Sequence, residues 1–211
     1  METGIIIIGV VVLLLIASIF LLGLIKPKKK EKVATRIKKK KLDKPQILKE
    51  ANRRLAQNPN DVEALFMLAE LYFDEQEWEK ALKLYENLNR LGETNSEIDV
   101  FEVSKRIGLC CYRLGKNDDA YKAFTIAKTG KPDDFEINYN LGVLEYMKKN
   151  YEKALPLLKQ AYAANNEHIM SLRFLGLCLF KVKQYREALS IIKKVLEQQP
   201  DDKESLFAMG E

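Results

Sequence analysis

FEINYNLGVLEYMKKNYEKALPLLKQAYAANNEH, residues 135–168, is one of four segments that repeat one another. The others are 62–95, 101–134 and 169–202, so the starts are spaced by 39, 34 and 34 residues. Leu68-Ala69, Ile107-Gly108, Leu141-Gly142 and Leu175-Gly176 fall at one offset. Ala81, Ala120, Ala154 and Ala188 fall at a second, and Tyr85, Phe124, Leu158 and Ile192 at a third. Leu88, Ala127, Ala161 and Val195 share a fourth, and Trp78, Tyr151 and Tyr185 a fifth, where the second segment has Asn117. A period of this length marks a repeat array, in which each unit buries its apolar face against its neighbours.

The pattern resembles the tetratricopeptide repeat, a 34-residue helix–turn–helix with a large-then-small pair in its first helix and a small residue early in its second. The resemblance covers residues 62–202. It departs from the family pattern at Leu65, Ser104, Asn138 and Leu172, and at Glu93 and Asn166, where Pro132 and Pro200 end the other copies. It implies an all-α fold, a superhelical α-α solenoid. The small residues let two helices cross closely and the large ones fill the gaps between them.

Outward from the repeats, Pro45–Gln57 followed by Asn58-Pro59-Asn60-Asp61 reads as a capping helix and degenerate copy over 44–61. Residues 203–211 match the opening of a fifth copy. Either that half-copy caps the stack imperfectly, or a partner covers it, or more chain follows. The five extra residues between the first two copies lie within Gly92–Asp99, where Thr94 and Glu97 have capping-box spacing. A lengthened helix start is the expectation there.

The N-terminus is of a different kind. After the short start at 1–4, residues 5–25 run IIIIGVVVLLLIASIFLLGLI, 21 residues without a charge. As a helix they span about 31 Å, the thickness of a hydrocarbon core. A cleaved signal would want a basic start and a small-residue cleavage site. The chain has Glu2 before the apolar run and Lys26-Pro27-Lys28 after it, so a retained single transmembrane helix is expected. No small-xxx-small pair marks it for dimerisation, and the oligomeric state stays open. The Lys-rich tether at 26–43 carries Lys26, Lys28, Lys29, Lys30, Lys32, Arg36, Lys38, Lys39, Lys40 and Lys41 against one acid, Glu31. That is +9 within a chain of +5, leaving −4 elsewhere. The positive-inside rule then puts the short N-terminus outside and the repeats in the cytoplasm. The same bases suit anionic lipid headgroups, a better partner for a tethered run than nucleic acid.

Catalytic chemistry finds little support. One His and three Cys leave little material for a His/Cys metal site, and an odd Cys count excludes a complete disulfide framework. No phosphate loop, dinucleotide fingerprint or HExxH is present. His168 reads as a solvated turn residue, and Cys110, Cys111 and Cys178 as buried packing residues. No cofactor, no metal and no enzymatic activity are expected.

The resemblance does imply a site. First helices line the concave face of such domains, which holds peptides or helices. Mapped by offset, that face carries Glu63, Phe66, Glu70 and Phe73, then Lys105, Arg106, Tyr112 and Arg113, then Tyr139, Asn140 and Tyr146, then Arg173, Phe180 and Lys181. Exposed aromatics and Arg are typical anchors, and the basic half suits acidic or carboxylate ligands. The family's chaperone-tail clamp is not expected. Only Lys105 and Asn140 match it, and Leu109, Met170 and Phe174 occupy its other places. The whole resembles bacterial inner-membrane repeat proteins that scaffold envelope or motility complexes, which implies an anchored adaptor for a protein or peptide partner. The alternatives are a mitochondrial-type import receptor, or the non-catalytic N-terminal part of a longer enzyme.

Overall fold

The computed structural model describes residues 43–210, and they are helical throughout, with no strand among them. A first helix, α1 (Lys44–Gln57), precedes four helix pairs. These are α2 (Val62–Asp74) with α3 (Trp78–Gly92), α4 (Val100–Arg113) with α5 (Asn117–Gly130), α6 (Phe135–Met147) with α7 (Tyr151–Ala164), and α8 (Ile169–Lys181) with α9 (Tyr185–Gln198). A short α10 (Lys203–Gly210) follows. The all-α repeat solenoid expected from the sequence is the observed fold. No helix among the described residues is long and apolar enough to cross a membrane. The anchor at 5–25 and the bases of the tether lie outside the described residues.

The offsets of the sequence meet in space sixteen residues apart. A Cβ on Gly108 would stand 2.7 Å from the Phe124 ring, one on Gly142 2.7 Å from Leu158 Cγ, and one on Gly176 2.8 Å from Ile192 Cγ1. Those distances are shorter than side-chain packing allows, so the first helix must be bare there for the second to cross it. Ala81, Ala120, Ala154 and Ala188 are buried on the opposing helices, and Leu88, Ala127, Ala161 and Val195 are fully buried.

Each pair turns the same way. Gln76, Gly115, Lys149 and Lys183 have φ of +60°, +73°, +62° and +63°. The following residue donates its N–H to a carbonyl five back, as Asn150 does to Glu145. This left-handed C-terminal turn satisfies orphan carbonyls and redirects the chain. Only one of the four positions is the residue that adopts it without strain.

The first helices start on a side-chain cap. Asp61, Asp99 and Asp134 accept the N–H of Ala64, Glu102 and Ile137, and Asp202 accepts that of Ser205. The insertion behaves differently from its expectation. Thr94 and Glu97 form no capping box; α4 begins on Asp99, and 93–99 is a loop whose Ile98 plugs the core. His168 is likewise no solvated turn residue. It takes the Asp place at the start of α8, where Nδ1 accepts the Ser171 N–H at 3.1 Å.

These capping acids also tie repeat to repeat. Lys105 lies 3.2 Å from Asp134 and 3.4 Å from Glu136. At the same offset two copies later, Arg173 lies 2.6 Å from Asp202 and 3.1 Å from Glu204. At the first junction Arg54 of α1 holds Asp61 at 3.0 Å and Glu63 at 2.6 Å. Between the third and fourth copies the equivalent residues are Tyr139 and His168, and the rings meet edge-on at 5.1 Å.

Three outcomes follow. Ala154→Phe overpacks the α6–α7 crossing and lowers stability by about 1–3 kcal/mol, read as a lower melting temperature. Arg173→Glu sets like charges beside Asp202 and Glu204 and costs about 1–3 kcal/mol by the same measure, whereas Arg186→Glu on exposed surface costs little. Stability also falls with acid. Burial raises the carboxyl pKa of Asp61, Glu102 and Asp202, but amide donors and the neighbouring Arg54, Lys131 and Arg173 outweigh it, and all three lie below the ordinary carboxylate range. Their contribution is complete above the unfolded pKa of about 4 and is lost as pH falls through the lower folded values. Melting temperature is therefore level near neutrality and drops below about pH 4.

Candidate functional site

The first helices form the inner layer of the stack, where α8 touches both α6 and α10 directly. A cavity of about 300 Å³ at the end of this layer is lined by α6, α8 and α10 alone, with no second-helix residue. The inner face is therefore the surface on which a ligand can meet several repeats at once.

Its residues divide into three groups. Phe66, 2% exposed, and Asn140, 5% exposed, are buried and offer no ligand surface. Phe66 packs in the core, and Asn140 donates Nδ2–H to the Glu136 carbonyl of its own helix. Their place in the groove is corrected: Phe66 is a core residue and Asn140 is buried with its amide bonded to its own helix.

The second group is charged but already matched. Glu63 pairs with Arg54. Glu70 accepts the Tyr85 hydroxyl at 2.8 Å and Arg106 at 3.1 Å, and the Arg106 guanidinium lies 4.5 Å from the Phe73 ring centre. Lys105 and Arg173 belong to the junctions described above. Burial lowers the pKa of Lys105 and Arg106, and the acids around them more than restore it, so both stay firmly cationic. Lys105, Arg106 and Arg173, three of the five cations of the expected basic half, are thus neutralised within the chain.

The third group is the available surface. Tyr112 is half-buried, and Arg113 is exposed with its guanidinium 5.8 Å from the Trp78 ring centre. Tyr139 packs on Phe135, His168 and Phe174, and Tyr146 on Phe174 and Tyr151. Phe180 packs edge-on against Tyr185, and Lys181 is exposed beside it. Tyr139, Phe174 and Tyr146 make an aromatic wall from the third copy to the fourth, and Phe180 shares a cavity lining with Tyr146. Burial pushes the Tyr139 and Tyr146 hydroxyls up to about 12, so they remain neutral donors at any physiological pH.

Phe174 and Phe207 complete the wall and were absent from the sequence-derived set. Phe207 falls one 34-residue period after Arg173 and was legible by extending the spacing. Phe174 shares its offset with buried Asn140, and nothing in the sequence distinguishes the two. Cys110, Cys111 and Cys178 are free and buried, and burial pushes the thiols of Cys110 and Cys178 up to about 12, far from the reactive thiolate. Among the described residues no group of three or more His, Cys, Asp or Glu could hold a metal ion.

Comparison with known proteins bears on the fold. Tetratricopeptide-repeat family models match residues 106–169 and 145–209, and a model of subunit 3 of the anaphase-promoting complex, or cyclosome, matches 48–127. The chain is 30% identical over 118 residues to the CTR9 homolog of Arabidopsis thaliana and 29% identical over 106 residues to the BBSome complex member BBS4 of Bos taurus. These alignments cover 54% and 50% of this chain but only 11% and 20% of those proteins. Among solved structures, YrrB, described as a tetratricopeptide-repeat protein with an unusual peptide-binding site, superposes with a TM-score of 0.64 at 22% identity, covering 76% of this chain and 80% of that one. MamA superposes at 0.62 and 20% identity, covering 74% and 88%. A tetratricopeptide-repeat protein of Parabacteroides merdae does so at 0.57 and 22%, covering 70% and 57%. Helix pairing, repeat period and these models agree, and residues 106–209 are built of tetratricopeptide repeats.

Proposed function

We propose that this protein is a membrane-anchored adaptor that recruits a protein or peptide on its inner face. The repeat fold makes it a protein-interaction module, with no catalytic constellation among the described residues. The observation that carries a ligand-binding role is the aromatic wall of Tyr139, Tyr146, Phe174 and Phe180. Four half-buried rings on one concave surface are the composition of an interaction anchor rather than of a solvated helix face.

The anchoring half of the reading rests on the sequence. An uncharged run of 21 residues followed by +9 in sixteen has the length and flank of a single-pass helix with a cytoplasmic C-terminal side. The Lys run would rest on anionic headgroups and hold the repeats near the bilayer. A bacterial inner membrane is the proposed location.

Two measurements test the two halves separately. A reporter fused after Glu211 is active on the cytoplasmic side and protected from external protease; cleavage from outside overturns the orientation. A photo-crosslinking residue at Tyr146 or Phe180 in living cells yields a discrete adduct that one at exposed Lys193 of α9 does not. The same adducts from both surfaces would remove the inner face as the recruiting site.

A further inference from the structure

The wall ends in a cavity of about 300 Å³ between α8 and α10, with Tyr146, Leu177, Phe180 and Phe207 as its apolar lining. Phe207 is 60% exposed, at an offset where the earlier copies have Phe66, Lys105, Tyr139 and Arg173. Three charged residues also line it: Lys181, Lys203 and Glu204. Glu204 is held by Arg173 at 3.1 Å. Lys181 and Lys203 form no ion pair among the described residues, and Lys181 lies only against the Phe180 ring, at 5.5 Å from its centre. The cations of the inner face at Lys105, Arg106 and Arg173 are matched by acids of the chain itself. Here two are left over, beside the most exposed aromatic of the face.

We infer that this cavity is the specificity subsite of the groove, and that it takes one bulky apolar side chain of a partner segment whose flanking residues are Asp or Glu. The inference rests on the groove reading above. A cavity of this size suits a Phe, Leu or Met side chain, whose burial supplies the affinity. Carboxylates on the residues beside it come within reach of Lys181 and Lys203, which set orientation and select against basic segments. A bilayer surface is a poorer occupant, because the apolar lining is recessed between two helices and a lipid plane does not enter it. The expectation of an acidic partner is thereby moved from Lys105 and Arg173 to Lys181 and Lys203.

Fluorescence anisotropy of the full chain in nanodiscs of neutral lipid tests this. The probes are acetylated and amidated Gly/Ser peptides with a central Phe flanked by Asp and Glu, the same peptide with Lys flanks, and the acidic peptide with Phe replaced by Gly. The acidic Phe peptide binds at least tenfold more tightly than either control, and its affinity falls with salt. Lys181→Glu with Lys203→Glu reverses the preference for flanking charge. Phe207→Ala weakens both Phe peptides while leaving that preference in place. All three residues are exposed; an acid at 203 suits the start of α10, whereas Lys181→Glu removes a base from the last turn of α8, so the double variant melts only slightly below the parent and Phe207→Ala melts with it.

An unchanged preference in the double variant overturns the proposal. So does binding of anionic vesicles, but not of peptide, that depends on Phe207. A photoreactive form of the peptide separates the two readings. Adducts confined to Tyr112 and Tyr139 sink this subsite and leave the groove standing, and adducts only on second helices remove both.

Discussion

The approach of Gly142 to Leu158, repeated at Gly108 with Phe124 and at Gly176 with Ile192, is the contact on which the architecture depends. With no side chain on the first helix at that point, the second helix lies against bare backbone and the large residue fills the remaining space. The pair is thereby fixed at a short distance and one crossing angle. Because the same two offsets recur every 34 residues, each pair repeats the geometry of the last, and the first helices lie together in one layer. The left-handed turns at Gln76, Gly115, Lys149 and Lys183 serve the same end. A pair that crosses so closely needs an abrupt reversal, and three of the four positions accept backbone strain to make it.

Polar groups then join one pair to the next with few residues. An Asp at the start of a first helix both caps that helix and receives a cation from the preceding copy. Arg54, Lys105 and Arg173 all act in this way. At the junction of the third and fourth copies, His168 caps and Tyr139 packs against it, so an aromatic contact stands where Lys105 and Arg173 form ion pairs. That substitution has a consequence for the inner face: it is the place where the aromatic wall begins.

The division of labour along the stack follows. In the first two copies the inner face spends its charges on its own neighbours, with Glu70, Tyr85, Arg106 and Phe73 locked into one cluster. From Tyr139 onward the rings stand half-open, and two unmatched cations, Lys181 and Lys203, stand at the far end with Phe207. A ligand held there would lie along α6, α8 and α10, away from the capping helix α1. In the proposed reading, one end of the stack serves structure and the other recruitment.

Much of this was written in the chain. Period, helix pairing, the buried alanines and the buried thiols all follow from the offsets, because a repeat fold satisfies each packing rule locally and does so several times; the choice of the inner face came from the family resemblance. Pairing across copies was beyond the sequence. Lys105 and Arg173 look like free groove cations until the capping acids of the next repeat are seen against them. Phe66 and Asn140 look like groove residues until neighbouring helices cover them, while Phe174, at the same offset as Asn140, stays half-open. His168 and Asp99 took their roles from where a helix begins, a boundary set by the turn before it. The sequence by itself determined which residues repeat and hence the fold. Only the tertiary structure decided which charges and rings remain for a partner, because that depends on contacts between residues about thirty positions apart.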